Sequence, residues 1–243
     1  MRVDGIIELK IPQVAIVDYG LGNLFSVARA CEQAGMHPVI TSSSEALASP
    51  ETDAVILPGV GAFGDAMASL KKMGLVEPLR ALASTRKPII GICLGMQLLL
   101  SKSDELGEHE GLGIIDGLVR GFGTGDRILS SGTSDQLIKI PQVGWNRVFV
   151  AKARTNGWNE IGETETFMEG LPEGVFMYFV HSYIVEPTDQ AVITGQTRYG
   201  GLEFCSAFRS GNVFGFQFHP ERSGEHGLTL YRNLASWLSL DNR

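Results

Sequence analysis

The sequence predicts an α/β protein built on an open, mixed but mostly parallel sheet flanked by helices. Short β-rich runs alternate with helix-spaced segments through the first hundred residues, an order that yields parallel strands joined by crossover helices. Glycine is abundant at 30 of 243 residues, about 12% against roughly 7% in average usage. Many tight strand-to-helix turns are therefore expected. The β-like runs of the second half have few helices between them, so part of the sheet should be antiparallel.

Val14 to Tyr19 reads as a buried strand, and Leu24 to Ala34 follows with helical spacing until Gly35 stops it. Strands are expected at Val39 to Thr41 and Ala54 to Leu57, then helical segments across Asp65 to Ala83. A strand covers Pro88 to Ile92, and a helix runs through Gln97 to Ser101. Farther on, Phe176 to Val180, Ala191 to Thr197, Phe204 to Phe208 and Val213 to Phe218 are β-like, and an amphipathic helix spans about Gly227 to Leu240. Gly121 to Ser134 reads as an exposed loop. With no repeat, low-complexity tract or linker, a single domain is favoured.

Composition narrows the function. A net charge of −7 leaves no basic field to attract a phosphate backbone, so neither a nucleic acid nor an anionic membrane is an expected partner. The longest uncharged apolar run, Pro88 to Leu100, is too short to cross a bilayer, and the first ten residues lack the apolar centre of a secretory signal. Three scattered cysteines, Cys31, Cys93 and Cys205, suit neither a disulfide framework nor a metal site. A soluble protein in a reducing cytoplasm is expected, with no metal and no cofactor.

The sharpest local signal is Gly91-Ile92-Cys93-Leu94-Gly95, where an apolar strand gives way to a helix. It matches a nucleophile elbow with cysteine in place of serine: a tight turn lifts the central side chain, and flanking glycines avoid crowding. The helix N-terminus beyond favours a thiolate. The bland alternative is a buried cysteine in a glycine-containing turn. A thiolate nucleophile needs a base and a group to orient it. In Val213 to Glu221, alternation puts Phe214, Phe216 and Phe218 on one face and Gln217 and His219 on the other. His219 then arrives at a strand end with Glu221 two positions on. His37, His109, His181 and His226 have no comparable neighbourhood. For an oxyanion, one donor is expected from Leu94 N–H. A second is expected from the glycine-rich turn Leu57-Pro58-Gly59-Val60-Gly61, each donor contributing about 3 kcal/mol of barrier lowering.

These segments resemble the class I (triad) glutamine amidotransferases and, more narrowly, the glutaminase subunits of imidazole glycerol phosphate synthases. The resemblance covers most of the chain after about residue 13. It rests on Asp18-Tyr19-Gly20 with Gly22-Asn23, on Leu57 to Met67, on Gly91 to Leu99, on Gly144 to Asn146, on Tyr178 to Tyr183 and on Gly215 to Leu228. It implies a flavodoxin-like amidotransferase domain over residues 13–243, with residues 1–12 as an N-terminal extension. It makes Cys93 the nucleophile, His219 the general base and acid, and Glu221 the residue orienting His219. Gly59, Val60 and Gly61 complete the oxyanion hole with Leu94, while Gln97 and the main chain around Ser182 and Tyr183 hold L-glutamine. The implied partner is a separate (βα)₈-barrel cyclase of histidine biosynthesis, forming a heterodimer that uses the released ammonia. Asn23 and Arg222 adjoin matched segments and are expected at that interface.

Three departures are visible. Pro141-Gln142-Val143 stands where the family usually has Pro-His-Met, Arg222 stands where it commonly has lysine, and the segments 121–134 and 158–167 diverge. They raise a paralogue reading, in which ammonia feeds another acceptor such as an amidine-bearing surface sugar. A stand-alone γ-glutamyl cysteine hydrolase, which could use the same triad without a partner, is a second alternative.

Overall fold

A computed structural model describes residues 10–122, 139–150 and 167–240. A central parallel sheet is laid down first. It comprises β1 (Gln13–Val17), β2 (His37–Thr41), β3 (Ala54–Leu57) and β4 (Ile89–Ile92), with helices α1 (Leu24–Gln33), α2 (Ser44–Ala48), α3 (Phe63–Lys72) and α4 (Val76–Ala83) between them. Each of β3 and β4 is a wholly buried apolar run, the pattern of a strand covered on both faces. Asn23 starts α1 by accepting the Ser26 N–H through its side chain, and Ser43 starts α2 by accepting that of Ala46.

After β4 come α5 (Leu94–Leu98), β5 (Leu100–Ser103), the short β6 (His109–Glu110), β7 (Ile115–Gly121) and β8 (Gln142–Val150). They are followed by β9 (Val175–His181), β10 (Tyr183–Pro187), β11 (Ile193–Tyr199), β12 (Leu202–Ser210), β13 (Val213–Phe216) and α6 (Gly224–Leu240). The sheet is mixed. Its main path runs β2-β1-β3-β4-β13-β12-β10-β7-β5-β6, with β11, β8 and β9 branching from β12. The portion from β2 to β13 is parallel, with β13 beside β4, and β12 then turns antiparallel against β13.

Alternation along β1 divides the interior. Val14 and Ile16 face a core shared with α1 and α6, which holds Val27, Cys31, Leu230 and Leu234. Ala15 and Val17 face the opposite core, which holds Phe63, Leu70, Leu79 and Leu98. Each fully buried leucine contributes about 1.5–3 kcal/mol, so both faces hold the sheet rigid beneath the loops at its edge.

Several sequence expectations shift. Residues 97–101 do not form one helix: α5 ends at Leu98, and Leu100 and Ser101 already belong to β5. The helical segments expected across 65–83 are α3 and α4, separated at Gly74, whose φ is +69°. Strands β5, β6, β7, β8 and β10 are additional, and α6 begins three residues earlier than expected. Residues 123–134 of the expected loop, 158–166 of the divergent segment and 1–9 of the extension lie outside the described residues. No helix among the described residues is long and apolar enough to cross a membrane.

Candidate active site

Where β4 ends, Cys93 adopts φ +53° and ψ −109°, a conformation that costs an L-residue energy unless its surroundings enforce it. They do. The Cys93 N–H donates to the Phe216 carbonyl at 2.7 Å, extending the β4–β13 pairing, and the Cys93 carbonyl accepts the Gln97 N–H at 3.2 Å to start α5. Both elbow glycines are sterically required. A Cβ on Gly91 would meet Met96 backbone at 2.7 Å, and one on Gly95 would meet the Leu57 carbonyl oxygen at 1.7 Å.

Two residues beyond Gln217, His219 is fixed by main chain and side chain together. Its N–H donates to the Tyr178 carbonyl at 2.9 Å. Ser223 Oγ donates to the His219 carbonyl at 2.7 Å and accepts the Tyr178 N–H at 3.0 Å, clamping β9 to the His-Pro-Glu turn. His219 Nδ1 lies 2.7 Å from Glu221 Oε1, with both side chains almost wholly buried. A carboxylate only accepts, so Nδ1 carries the proton and Nε2 is left without a protein hydrogen bond. Burial alone would lower the His219 pKa. Interaction with the Cys93 sulfur, and the hydrogen bond and charge of Glu221, outweigh it and raise the value to about 10.

The Cys93 sulfur lies 3.7 Å from the Val180 carbonyl oxygen and 3.8 Å from Gln217 Nε2. Gln97 Nε2 donates to the Tyr183 carbonyl at 3.0 Å and to Gln217 Oε1 at 3.2 Å. The Tyr183 carbonyl also accepts His181 Nδ1–H at 2.8 Å, and the Ser182 carbonyl accepts the Phe122 N–H. The carbonyls of Ser182 and Tyr183 are thus engaged within the chain: Ser182 joins β9 to β10, and Tyr183 opens β10 against Gln97.

The glycine-rich turn after β3 lies against the start of α5. A Cβ on Gly59 would stand 2.3 Å from Tyr19 Oη and 3.0 Å from Leu94 Cβ, so Gly59 and Leu94 are neighbours. Tyr19 Oη donates to the Pro58 carbonyl at 2.8 Å. Burial, and then the charge of Cys93, push this phenol's pKa upward, keeping it a donor. Gly61 takes φ +114°, and Val60 is 42% exposed.

The two expected interface residues are placed differently. Asn23 is exposed and caps α1. Arg222 stacks 4.5 Å above the Tyr178 ring, which meets Trp145 edge-on; Trp145 and Val143 are each 55% exposed.

Sequence reasoning missed His181. It is buried among Phe122, Phe179 and Phe204. Burial lowers its pKa, partly offset by the Tyr183 hydrogen bond, and the nearby His219 lowers it further, to about 4. It is therefore a neutral donor that helps to hold the β9–β10 corner. Gln217 was legible only as sharing a face with His219, and its contact with sulfur depends on three separate elements.

The glutamine amidotransferase class-I family profile matches residues 15–236. The imidazole glycerol phosphate synthase subunit HisH of Aquifex aeolicus (strain VF5) is 45% identical over 221 residues, covering 91% of this chain and 95% of that one. The HisH subunit of Sulfurimonas denitrificans is 42% identical, over 93% of this chain and 99% of its own. Among solved structures, that of PurLQS from Thermotoga maritima aligns with a TM-score of 0.67 at 19% identity, over 94% of this chain and 100% of that one, a likeness of fold.

Proposed function

Since this chain belongs to the class-I glutamine amidotransferases, we propose that Cys93, His219 and Glu221 form the triad with which it works as the glutaminase subunit of an imidazole glycerol phosphate synthase. It releases ammonia from glutamine for the synthase reaction of histidine biosynthesis. The observation that carries the triad is the His219 Nδ1 contact with Glu221, which leaves Nε2 free on a ring three residues beyond Phe216, whose carbonyl holds the Cys93 N–H.

The proton of Cys93 Sγ passes to His219 Nε2, and the sulfur attacks the side-chain amide carbon of glutamine. Negative charge on the carbonyl oxygen is met by main-chain donors of Leu94 and the Gly59-Val60-Gly61 turn. His219 Nε2–H protonates the amide nitrogen as its bond to carbon breaks, and ammonia leaves. Water then gives a proton to Nε2 while its oxygen attacks the thioester carbon, and the Cys93 sulfur departs as glutamate forms. Glu221 keeps Nδ1–H in place throughout, so that Nε2 alone exchanges protons.

The partner proposed is a separate (βα)₈-barrel cyclase in a heterodimer, as the subunit naming of the relatives supports. The exposed Trp145, Val143 and stacked Arg222 around Tyr178 offer it a surface beside the His219 turn, and Asn23, exposed at the start of α1, is proposed at the interface as well. A cytoplasmic setting suits three free cysteines.

The test is ammonia release measured with and without the cyclase and its acceptor. Near-silence alone, strong activation in the complex and complete loss in Cys93→Ala are expected. Full glutaminase activity in Cys93→Ala overturns the triad.

A further inference from the structure

Gln217 is fully buried and touches the sulfur, and its orientation is dictated from a distance. The Tyr183 carbonyl oxygen can only accept, so the Gln97 terminus 3.0 Å from it is the nitrogen. That nitrogen lies 3.2 Å from one terminal atom of Gln217, which must then be the oxygen. The remaining Gln217 terminus is therefore the NH₂ group, 3.8 Å from Cys93 Sγ.

The other neighbour of the sulfur is the Val180 carbonyl oxygen at 3.7 Å. A protonated thiol can donate to it, but a thiolate would face its lone pairs. An N–H donor behaves in the opposite way, because its bond strengthens once the acceptor is charged. With water excluded from a fully buried amide, nothing competes for this donor.

We propose that Gln217 is a further catalytic residue of the glutaminase reaction: its side-chain N–H donates to the Cys93 sulfur and stabilises the thiolate. The relay from the Tyr183 carbonyl through Gln97 imposes that orientation. This rests on the reading of Cys93 as the nucleophile. When the thiol proton moves to His219 Nε2, the Val180 contact is lost, and Gln217 supplies the charge-assisted hydrogen bond that replaces it. The same donor receives the sulfur when the thioester breaks.

The experiment is alkylation of Cys93 by iodoacetamide, followed by mass spectrometry of the Cys93 peptide across a pH series. It compares the full-length wild type with Gln217→Leu and Gln217→Glu. Leucine removes the donor, and glutamate sets an anion against the sulfur. At neutral pH, alkylation is expected to slow by about fivefold in Gln217→Leu and by more than about tenfold in Gln217→Glu. Both curves should be displaced to higher pH and approach the wild-type rate there. Thermal melting identifies a variant that has not folded, and the other then decides. Curves that superimpose on wild type overturn the proposal. So does a loss that is equal at every pH, which is what a packing role alone would give. A wild-type Cys93 that resists alkylation and is unaffected by glutamine overturns the nucleophile assignment itself, an outcome distinct from superimposed curves.

Discussion

Gly95 and Leu57 stand so close that a Cβ on the glycine would lie 1.7 Å from the leucine carbonyl oxygen. This contact seats the first turn of α5 directly on the end of β3, and so brings Leu94 beside the Gly59 turn. The obstacle is backbone, which cannot rotate away. Gly95→Ala should therefore lie at or above the upper end of overpacking costs, at least about 3 kcal/mol, as measured by urea unfolding. A cost near zero would show that the elbow moves freely against β3.

The surroundings of His219, Cys93 and Glu221 together, make stability depend on pH. The fold raises the His219 pKa from 6.5 to about 10, so the folded state binds this proton more tightly than the unfolded chain does. Stability from the charged imidazole is fully present below pH 6.5 and is lost as pH rises through about 10. Glu221→Gln keeps the shape and removes the charge. The wild type should exceed it in unfolding free energy by about 3 kcal/mol at pH 6, with the gap narrowing steadily toward pH 10. A gap independent of pH would contradict the pairing.

For His181 the fold lowers the pKa from 6.5 to about 4, so here the unfolded chain binds the proton more tightly. The stability conferred by a neutral His181 is complete above pH 6.5 and is lost as pH falls through 4. His181→Phe fits among three phenylalanine rings and does not titrate, though it forfeits the hydrogen bond to Tyr183, at about 1 kcal/mol. The variant should be the less stable protein at pH 8 and should lose less stability than wild type between pH 6.5 and 4. Parallel loss in the two proteins would place that acid sensitivity elsewhere.

These behaviours differ in how far the chain announces them. Strands β3 and β4 were legible because four consecutive buried apolar residues suit only a strand covered on both faces, and the elbow because glycine flanks its cysteine. Strand β8 was not, since most of its nine residues keep side chains at least partly exposed and leave no apolar run to read. Nor was β5: the run from Leu98 to Leu100 fits helix and strand equally over so short a span, and pairing with β7 decides it. Within the site, His219 and Glu221 are two residues apart and visible as a pair. The roles of Gln217 and His181 arise only when the β9–β10 corner is folded onto α5 and β13, a juxtaposition of distant segments that no local pattern encodes.

The backbone of Cys93 leads to the last prediction. At φ +53° and ψ −109°, this residue occupies a region where an L side chain costs about 1–3 kcal/mol. Glycine meets no such penalty there. In ordinary strand or helix positions alanine is the more stabilising of the two, by roughly 0.5–1 kcal/mol. At position 93 the order should invert, with Cys93→Gly more stable than Cys93→Ala by about 1 kcal/mol in urea unfolding. Both variants should lack glutaminase activity. A gain for glycine over alanine is what a strained nucleophile predicts, because the elbow conformation is one that a residue with a side chain resists. If alanine proves the more stable, the turn tolerates its side chain without strain.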